Sequence, residues 1–448
     1  MKKNFMTVAA MAVVAFFVST EIAKAADISF SGQIRTRWEA NEHSGNGQTN
    51  GNFGNNTDDF IFSSVRLAAT ANVNESTSAF IQLQSTRNWG NTTAGSVGTG
   101  AGEGNASNTA NDNDSSVGVH QAYFTLKNFA NLPIAMDAKV GRQEIILDGH
   151  RLFGNTVWTP GMQSHDAIRL NHKHDNMSLS LAYILENEDG RSADFNDGSD
   201  ADVYLAHFNL KGVLGGQFSA IYAYSNSAGP LGAGDDSFST IGARQAGQLF
   251  GLDYRGEAYY QFGRADGRQN FNAGNPDTDR SAYMFGVRVG KTFNNVMFKP
   301  GVTLWYDYLS GTTDEDQRDG DWSSFNTLFD TGHKFYGLQD VFLGVGGGTS
   351  AGTRGLGLQD FAVKLKMNPM PGWTLKFAAH AFATAEAAQS NPVTFGSGVV
   401  GTDNGSYLGN EFDLTLVNKY NANTNIMIGV SNFNGTHVFR GIKNNAPG

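Results

Sequence analysis

The chain of 448 residues carries 32 Lys or Arg against 42 Asp or Glu, a net charge of −10, with 55 Gly, 9 Pro and no Cys. The acidic balance argues against nucleic-acid binding, which wants a basic surface, and the lack of Cys excludes a disulfide-stapled domain or a covalently held c-type haem. A mean hydropathy of −0.33 looks soluble, yet a membrane barrel reads the same way because only alternate residues meet lipid.

Residues 1–25 read as an export signal. Lys2 and Lys3 precede an apolar run from Val8 to Val18, and Ala23-Lys24-Ala25 offers a small-x-small cleavage site. The run is too short for a spanning helix, which needs about 20 residues, and no later stretch approaches that length. Residues 26–448 are expected to form one outer-membrane β-barrel with long external loops, 310–356 being the longest.

Strand signals with period two follow along the chain. Ile28, Phe30, Ile34, Thr36 and Trp38 share one face, with Ser29, Gln33, Arg35, Arg37 and Glu39 on the other. Residues 250–262 set Phe250, Leu252, Tyr254, Ala258, Tyr260 and Phe262 against Asp253, Arg255, Glu257, Tyr259 and Gln261. Residues 358–367 set Phe361, Val363, Leu365 and Met367 against Asp360, Lys364 and Lys366. Residues 407–416 set Leu408, Phe412, Leu414 and Leu416 against Glu411, Asp413 and Thr415. A soluble sandwich would point apolar faces inward; here the face opposite the aromatic one is charged, which predicts a wet lumen.

Short connections, such as Asn74–Ser76, Gly212–Gly215, Asn294–Asn295, Pro369–Pro371 and Asn421–Ala422, alternate with long polar ones at 42–58, 90–116, 147–165, 188–200, 265–279, 310–356 and 386–406. Outer-membrane barrels show this pattern of tight periplasmic turns and long external loops. The fold class is therefore all-β, a transmembrane antiparallel barrel of about 18 strands. Seventeen are visible, the last at Thr424–Asn434 running outward, so a closing strand is expected to be missing after it, since single-chain bacterial barrels are normally even-numbered. A rival count makes Gln339–Val345 a strand and turns the Pro369–Pro371 connection to the outside.

Three groups of motifs resemble the alginate-export family of outer-membrane porins. They are Gly141-Arg142-Gln143-Glu144 with Gly149-His150-Arg151-Leu152-Phe153-Gly154, Trp158 and Asp166-Ala167-Ile168-Arg169-Leu170; Gly332-His333-Lys334-Phe335-Tyr336-Gly337 with Asp340 and Gly355-Leu356-Gly357-Leu358-Gln359-Asp360; and Gly409-Asn410-Glu411-Phe412-Asp413-Leu414 with Gly429-Val430-Ser431-Asn432-Phe433. The resemblance spans most of the mature chain. It implies an 18-stranded passive channel, with an Arg-rich pore that exports a polyuronate in the founding member.

Strand parity places Arg35, Arg37, Arg66, Lys127, Arg169, Lys173, Arg255, Arg288, Lys299, Lys364, Lys366 and Lys376 toward the lumen, against fewer acids: Glu39, Asp253, Glu257, Asp307, Asp360, Glu411 and Asp413. The acidic surplus sits in loops, at Asp194, Asp197, Asp200 and Asp202 and at Asp314, Glu315, Asp316, Asp319 and Asp321. Arginine suits a carboxylate pore because it stays charged and its fork matches two oxygens, and rings of such charge favour anions. The expected cargo is a hydrophilic anionic solute, small or polymeric. The plainer reading makes these charges braces of the wall. Arg142 breaks parity, sharing the face of Ile134, Met136 and Val140, so either a bulge re-aims it or it lies beyond the membrane band.

Other chemistry is weakly supported. The acid clusters lack the EF-hand spacing, and solvated loop charge explains them more simply. Gly396-Ser397-Gly398-Val399-Val400-Gly401 matches a dinucleotide fingerprint only by letters. His120, His172, His174 and His380 offer bases, but no GxSxG elbow accompanies them. No enzyme activity, cofactor or metal is expected. Partners are outer-membrane lipid, met by interfacial aromatics such as Trp38, Tyr254, Tyr260 and Trp373, the solute, and an unidentified periplasmic protein. Alternatives are a non-selective porin or a barrel sheathing a partner cytochrome.

Overall fold

The computed structural model describes residues 27–42, 57–89, 117–187, 201–227, 236–266, 278–344, 352–388, 394–395, 398–399 and 405–444. Period-two alternation becomes extended chain nearly throughout, in β1 (Asp27–Glu42), β2 (Thr57–Asn72), β3 (Thr77–Asn88), β4 (Gly118–Leu126), β5 (Asp137–Gln143), β6 (His165–His174) and β7 (Met177–Asn187). The wall continues through β8 (Ala201–Val213), β9 (Gly216–Ser227), β10 (Phe238–Leu249), β11 (Leu252–Arg264), β12 (Asp279–Thr292) and β13 (Gly301–Leu309). The two-residue β14 (Asp321–Trp322) precedes β15 (Leu358–Met367) and β16 (Trp373–Ala388). A small separate hairpin, β17 (Thr394–Phe395) and β18 (Gly398–Val399), leads to β19 (Gly405–Lys419) and β20 (Asn425–Gly435).

Among the described residues one sheet holds 18 strands. Seventeen run as an antiparallel meander in which each strand pairs with the next long one; β14 is the other, paired in parallel with β12. The chain is thus a transmembrane β-barrel, its wall joined neighbour to neighbour by backbone hydrogen bonds from β1 to β20. β1 and β20 both run from the turn end to the loop end, and among the described residues no pairing joins them. The outer face is apolar and exposed, for example at Phe30, Ile34, Trp38, Ile81, Ile241, Tyr260, Phe285, Leu304, Phe361 and Phe412. Stacked pairs such as Tyr283 with Tyr308 and Phe285 with Tyr308 thicken this band.

The apolar core lies inside the barrel. Two connections, 144–164 and the described parts of 310–357 (310–344 and 352–357), turn into the lumen instead of standing outside it. Their Ile145, Leu152, Phe153, Phe325, Phe329, Phe335 and Phe342 form one buried cluster with wall residues Ile184, Leu205, Ile221 and Phe382. The helix His437–Asn444 adds Val438, Phe439 and Ile442 to it. The inward packing of 310–357 is a difference from the external loop expected from composition.

Several single expectations also change. Gln339–Val345 is not a strand in its described part, so the rival count fails. The tight turn at Asn294–Asn295 extends to Pro300, which puts Lys299 in the turn with φ 46°. Lys127 likewise sits beyond the end of β4, donating to the Glu75 carbonyl. Phe250 belongs to a turn with Gly251 and is 92% exposed. Leu408 is buried in the core, not outward: the register jumps from Phe382↔Gly409 to Ala383↔Tyr407, and the bulge reverses its direction. Arg142 lies in register with Asp166 and bonds its carboxylate at 3.0 Å, on the exposed side of β6.

Candidate functional site

The site grows from the two inward loops. Connection 144–164 leaves β5 and holds Asp148, His150, Thr156 and Met162 at positive φ, a backbone state that persists only when contacts enforce it. Three charged anchors do so. Glu144 accepts from His120 of β4 at 2.8 Å and from Asn155 at 2.8 Å. Asp148 accepts from Ser219 of β9 at 2.8 Å and pairs with His207 of β8 at 3.0 Å. Arg151 then reaches across the lumen to β11 and β13.

Arg151 is 1% exposed and fans its donors three ways. Nε bonds Glu257 at 3.2 Å, one terminal nitrogen bonds the Tyr336 hydroxyl at 2.9 Å, and the other bonds Asp307. Its guanidinium carbon lies 3.7 Å from the centre of the Phe335 ring. Burial opposes its charge, but Asp307, Tyr336 and Glu257 outweigh that and raise its pKa well above the ordinary value. The same balance holds Glu144 ionised: burial disfavours the carboxylate, while His120, Asn155 and Arg66 together pull its pKa below the usual range.

Connection 310–357 meets the first loop edge to edge. Gly154 donates to the Phe329 carbonyl at 2.8 Å, Phe329 to Leu152 at 2.9 Å, and Thr331 to His150 at 3.1 Å, around a parallel bridge between Phe153 and Phe329. A side chain at Gly154 would collide with the Thr331 hydroxyl. At the tips, the Trp158 and His333 rings stack at 3.9 Å and 5°, with Arg37 3.8 Å from the Trp158 ring on its own contact and Asp340 2.7 Å from His333 Nδ1. On the far wall, Glu411 accepts the backbone N–H groups of Leu338 at 2.6 Å and Gln339 at 2.9 Å.

Strand register orders the inward charges on β10–β19. Arg244, Glu257, Asp307 and Asp360 lie along one hydrogen-bonded row. Arg255, Arg288, Trp305, His380 and Glu411 lie along the next, two residues nearer the turn end. Lys364 follows with Thr303 and Asp413, and then Lys366 with Lys376. Each step is about 7 Å, two residues of extended chain. Arg255 pairs with Glu257 at 3.1 Å, Arg288 lies 3.8 Å from Asp307, and both Arg288 and Lys364 sit against the Trp305 ring.

Two cavities of about 290 Å³ each open in this frame. Arg35 and Arg66 line the first, with Gln33, Gln82, Gln121, Glu144, Val157 and Met162. The second includes His333, Lys364, Lys366, Lys376, Asp413 and the Gly337–Leu338 turn. Of the residues singled out from sequence, Arg35 and Arg66 meet at the first cavity, with Arg37 beside it on Trp158. Arg255, Glu257 and Arg288 surround Arg151. Lys364, Lys366 and Asp413 meet at the second cavity. Asp360 is engaged by His380 at 2.8 Å, and Glu411 holds the loop. Arg169 joins neither cavity; it bonds Ser180 at 2.6 Å, in register with Lys139.

Lys139 and Arg244 also face inward, in register with Arg169 and Glu257, on strands whose small residues blur the alternation. Arg151, Tyr336, Trp158 and His333 lie in loops and carry no periodic signal. Among the described residues no cluster of His, Asp and Glu has metal-site geometry. Within the acid run at 314–321, Asp316 instead closes a capping box with Thr313 on a helical turn. The Asp194–Asp200 part of the other acid run and most of the Gly396–Gly401 segment lie outside the described residues.

Comparison with solved structures finds outer-membrane porins. OccK8 (OprE) of Pseudomonas aeruginosa is 11% identical, with 91% of this chain and 94% of that one covered at a TM-score of 0.53. A BenF-like porin from Pseudomonas fluorescens Pf-5 is 12% identical, covering 92% and 94%, also at 0.53. OccK2 (OpdF) of Pseudomonas aeruginosa, solved in complex with glucuronate, is 10% identical, covering 93% and 95% at 0.50. At such identities the likeness is one of fold. Comparison with curated proteins finds no match. The family described as alginate export matches residues 26–441. With its barrel, its inward loops and nearly its whole length matched, this chain belongs to the alginate export family.

Proposed function

We propose that the protein is an outer-membrane channel through which hydrophilic anionic solutes pass passively, and that residues 1–25 export it to that membrane. The observation that carries the reading is the cation series Arg244, Arg255 and Arg288, Lys364, then Lys366 and Lys376, descending the inner wall toward the turn end. The inner-wall acids Glu257, Asp307, Asp360, Glu411 and Asp413 neutralise only part of it, because Glu257 and Asp307 are shared with the buried Arg151, Asp360 is engaged by His380, and Glu411 holds the 337–339 turn. Fixed cations spaced along a narrow lumen let an anion pass from one site to the next without a deep trap. Catalysis plays no part in this reading.

The glucuronate bound to the OccK2 porin supports small sugar acids as the cargo class. The cavities, about 290 Å³ each, fit solutes of that size. The family's export of an acidic polysaccharide requires the two inward loops to move aside. The test is the reversal potential of the purified protein in a planar bilayer under a KCl gradient. A clear preference for chloride, with current blocked by glucuronate, is expected. Equal permeability to both ions would sink the reading and leave a general porin.

A further inference from the structure

We infer that the cavity between β1–β4 and the 144–164 loop is a second binding site, built for a small hydroxylated monocarboxylate. It rests on the reading of the lumen as an anion path, but it stands apart from the cation series. The Trp158–His333 stack lies between the two cavities, with Val157 on one side and His333 itself lining the other.

The direction of its hydrogen bonds makes the cavity a donor surface. The Glu144 backbone N–H can only donate, and it does so to Gln121 Oε1 at 3.0 Å. The Gln121 amide nitrogen must then face the other way, and it donates to Gln82 Oε1 at 3.1 Å. Gln82 is left presenting its NH₂ group, which donates to no protein atom among the described residues. This sequence of bonds settles an amide orientation that atom positions alone leave ambiguous. A bulge makes it possible, because the register jumps between Gln82↔Gln121 and Leu83↔Val119, so that His120 and Gln121 both reach inward contacts.

Arg66 is oriented in the same way. It is 7% exposed, and its Nε is held by Gln84 at 2.7 Å, while the Gln84 nitrogen is held by the Gly161 carbonyl at 2.6 Å. The nearest carboxylate oxygen, on Glu144, is 3.9 Å from Arg66 Nη1, too long for a hydrogen bond. Both Glu144 oxygens are already engaged by His120 and Asn155. The terminal nitrogens of Arg66 and the Gln82 amide therefore offer N–H groups to one acceptor group, and Arg35 leaves the cavity with one positive charge in excess of Glu144.

The remaining lining selects within the class of carboxylates. The Gln33 amide, which makes no side-chain hydrogen bond among the described residues, can both donate and accept and so suits hydroxyl groups. Val157 and Met162 supply an apolar patch for a C–H face. A volume near 290 Å³ is at the small end for ligand sites, which run from about 300 to 1,000 Å³. It holds one hydroxy acid or one sugar acid, not an oligomer.

The test uses the full-length protein in planar bilayers, with glucuronate as probe and glucose as its neutral counterpart. Gln82→Leu removes the donor without changing charge. It should shorten glucuronate block events about tenfold, equivalent to about 1.4 kcal/mol, and leave the reversal potential as in the unaltered protein. Should Gln82→Leu assemble poorly, Gln82→Glu keeps the volume, replaces the donor by a repelling carboxylate, and should shorten those events at least as much while block at the cation series remains. Unchanged glucuronate residence in these variants overturns the proposal, as does glucose dwelling as long as glucuronate. Loss of anion preference in the unaltered protein is a separate outcome, and it overturns the channel reading on which this site rests.

Discussion

At the scale of single residues, Arg151 decides the shape of the lumen. Its three bonds leave along diverging directions of one planar group, which the single ammonium of lysine cannot reproduce. Arg151→Met would leave Glu257 and Asp307 buried without their shared cation, a loss of about 3–5 kcal/mol for breaking a buried ion pair. We expect amide exchange in 144–164 to quicken and single-channel conductance to rise, with Arg151→Lys rescuing neither. Unchanged exchange in the Met variant would show that the other anchors suffice. Asp330, close by in the second loop, carries a pH signal. Burial pushes its carboxyl up to about 7, against the pull of Arg151. It is charged above that pH and neutral below it, so anion preference should strengthen as pH falls from about 8 to about 6. The same raised value means that ionisation works against docking, so the loop should also be held more firmly on the acid side. Asp330→Asn should remove most of this pH dependence of the reversal potential, and an unaltered pH profile would count against it.

At the scale of elements, the inward loops carry little secondary structure, chiefly the helical turn at Asp314–Asp319 and β14, and are held largely at their ends and tips. The turn Gly337–Gln339 has one such hold, the Glu411 carboxylate, which accepts two backbone N–H groups and a weaker bond from Ser431 at 3.3 Å. Gly337 has φ 91°, and a side chain there would strike that carboxylate. Glu411→Ala and Gly337→Ala should therefore act alike, loosening residues 330–344 while the strands keep their protection. Hydrogen exchange by mass spectrometry separates the two regions. Loss of protection along β19 and β20 as well would mean that Glu411 supports the wall and not the loop. The strands themselves were legible from alternation, as Arg255, Glu257, Tyr259 and Gln261 show by facing inward as read. The misplacements at Leu408 and Lys299 arise where a bulge or a longer turn changes the parity by one residue, which no period in the sequence marks.

For the whole molecule, an acidic chain encloses a lumen whose strand-borne charges on β10–β16 are largely cationic. Lys366 and Lys376 lie at the turn end of that series, beside each other in register, and line the second cavity. Lys366→Glu combined with Lys376→Glu should move the reversal potential toward potassium. An unmoved potential would assign selectivity to the Arg151 region alone.

The sequence was enough for the all-β barrel and its strands, because side-chain direction in a strand depends only on position modulo two. The division of the lumen needed the folded molecule. Arg151 and Asp307 are 156 positions apart, Gln84 and Gly161 are 77 apart, and neither pair is linked by any local repeat. The wall brings these residues together by curving around the loops, so the anchors, the two cavities and the direction of the glutamine bonds exist only once the strands have paired.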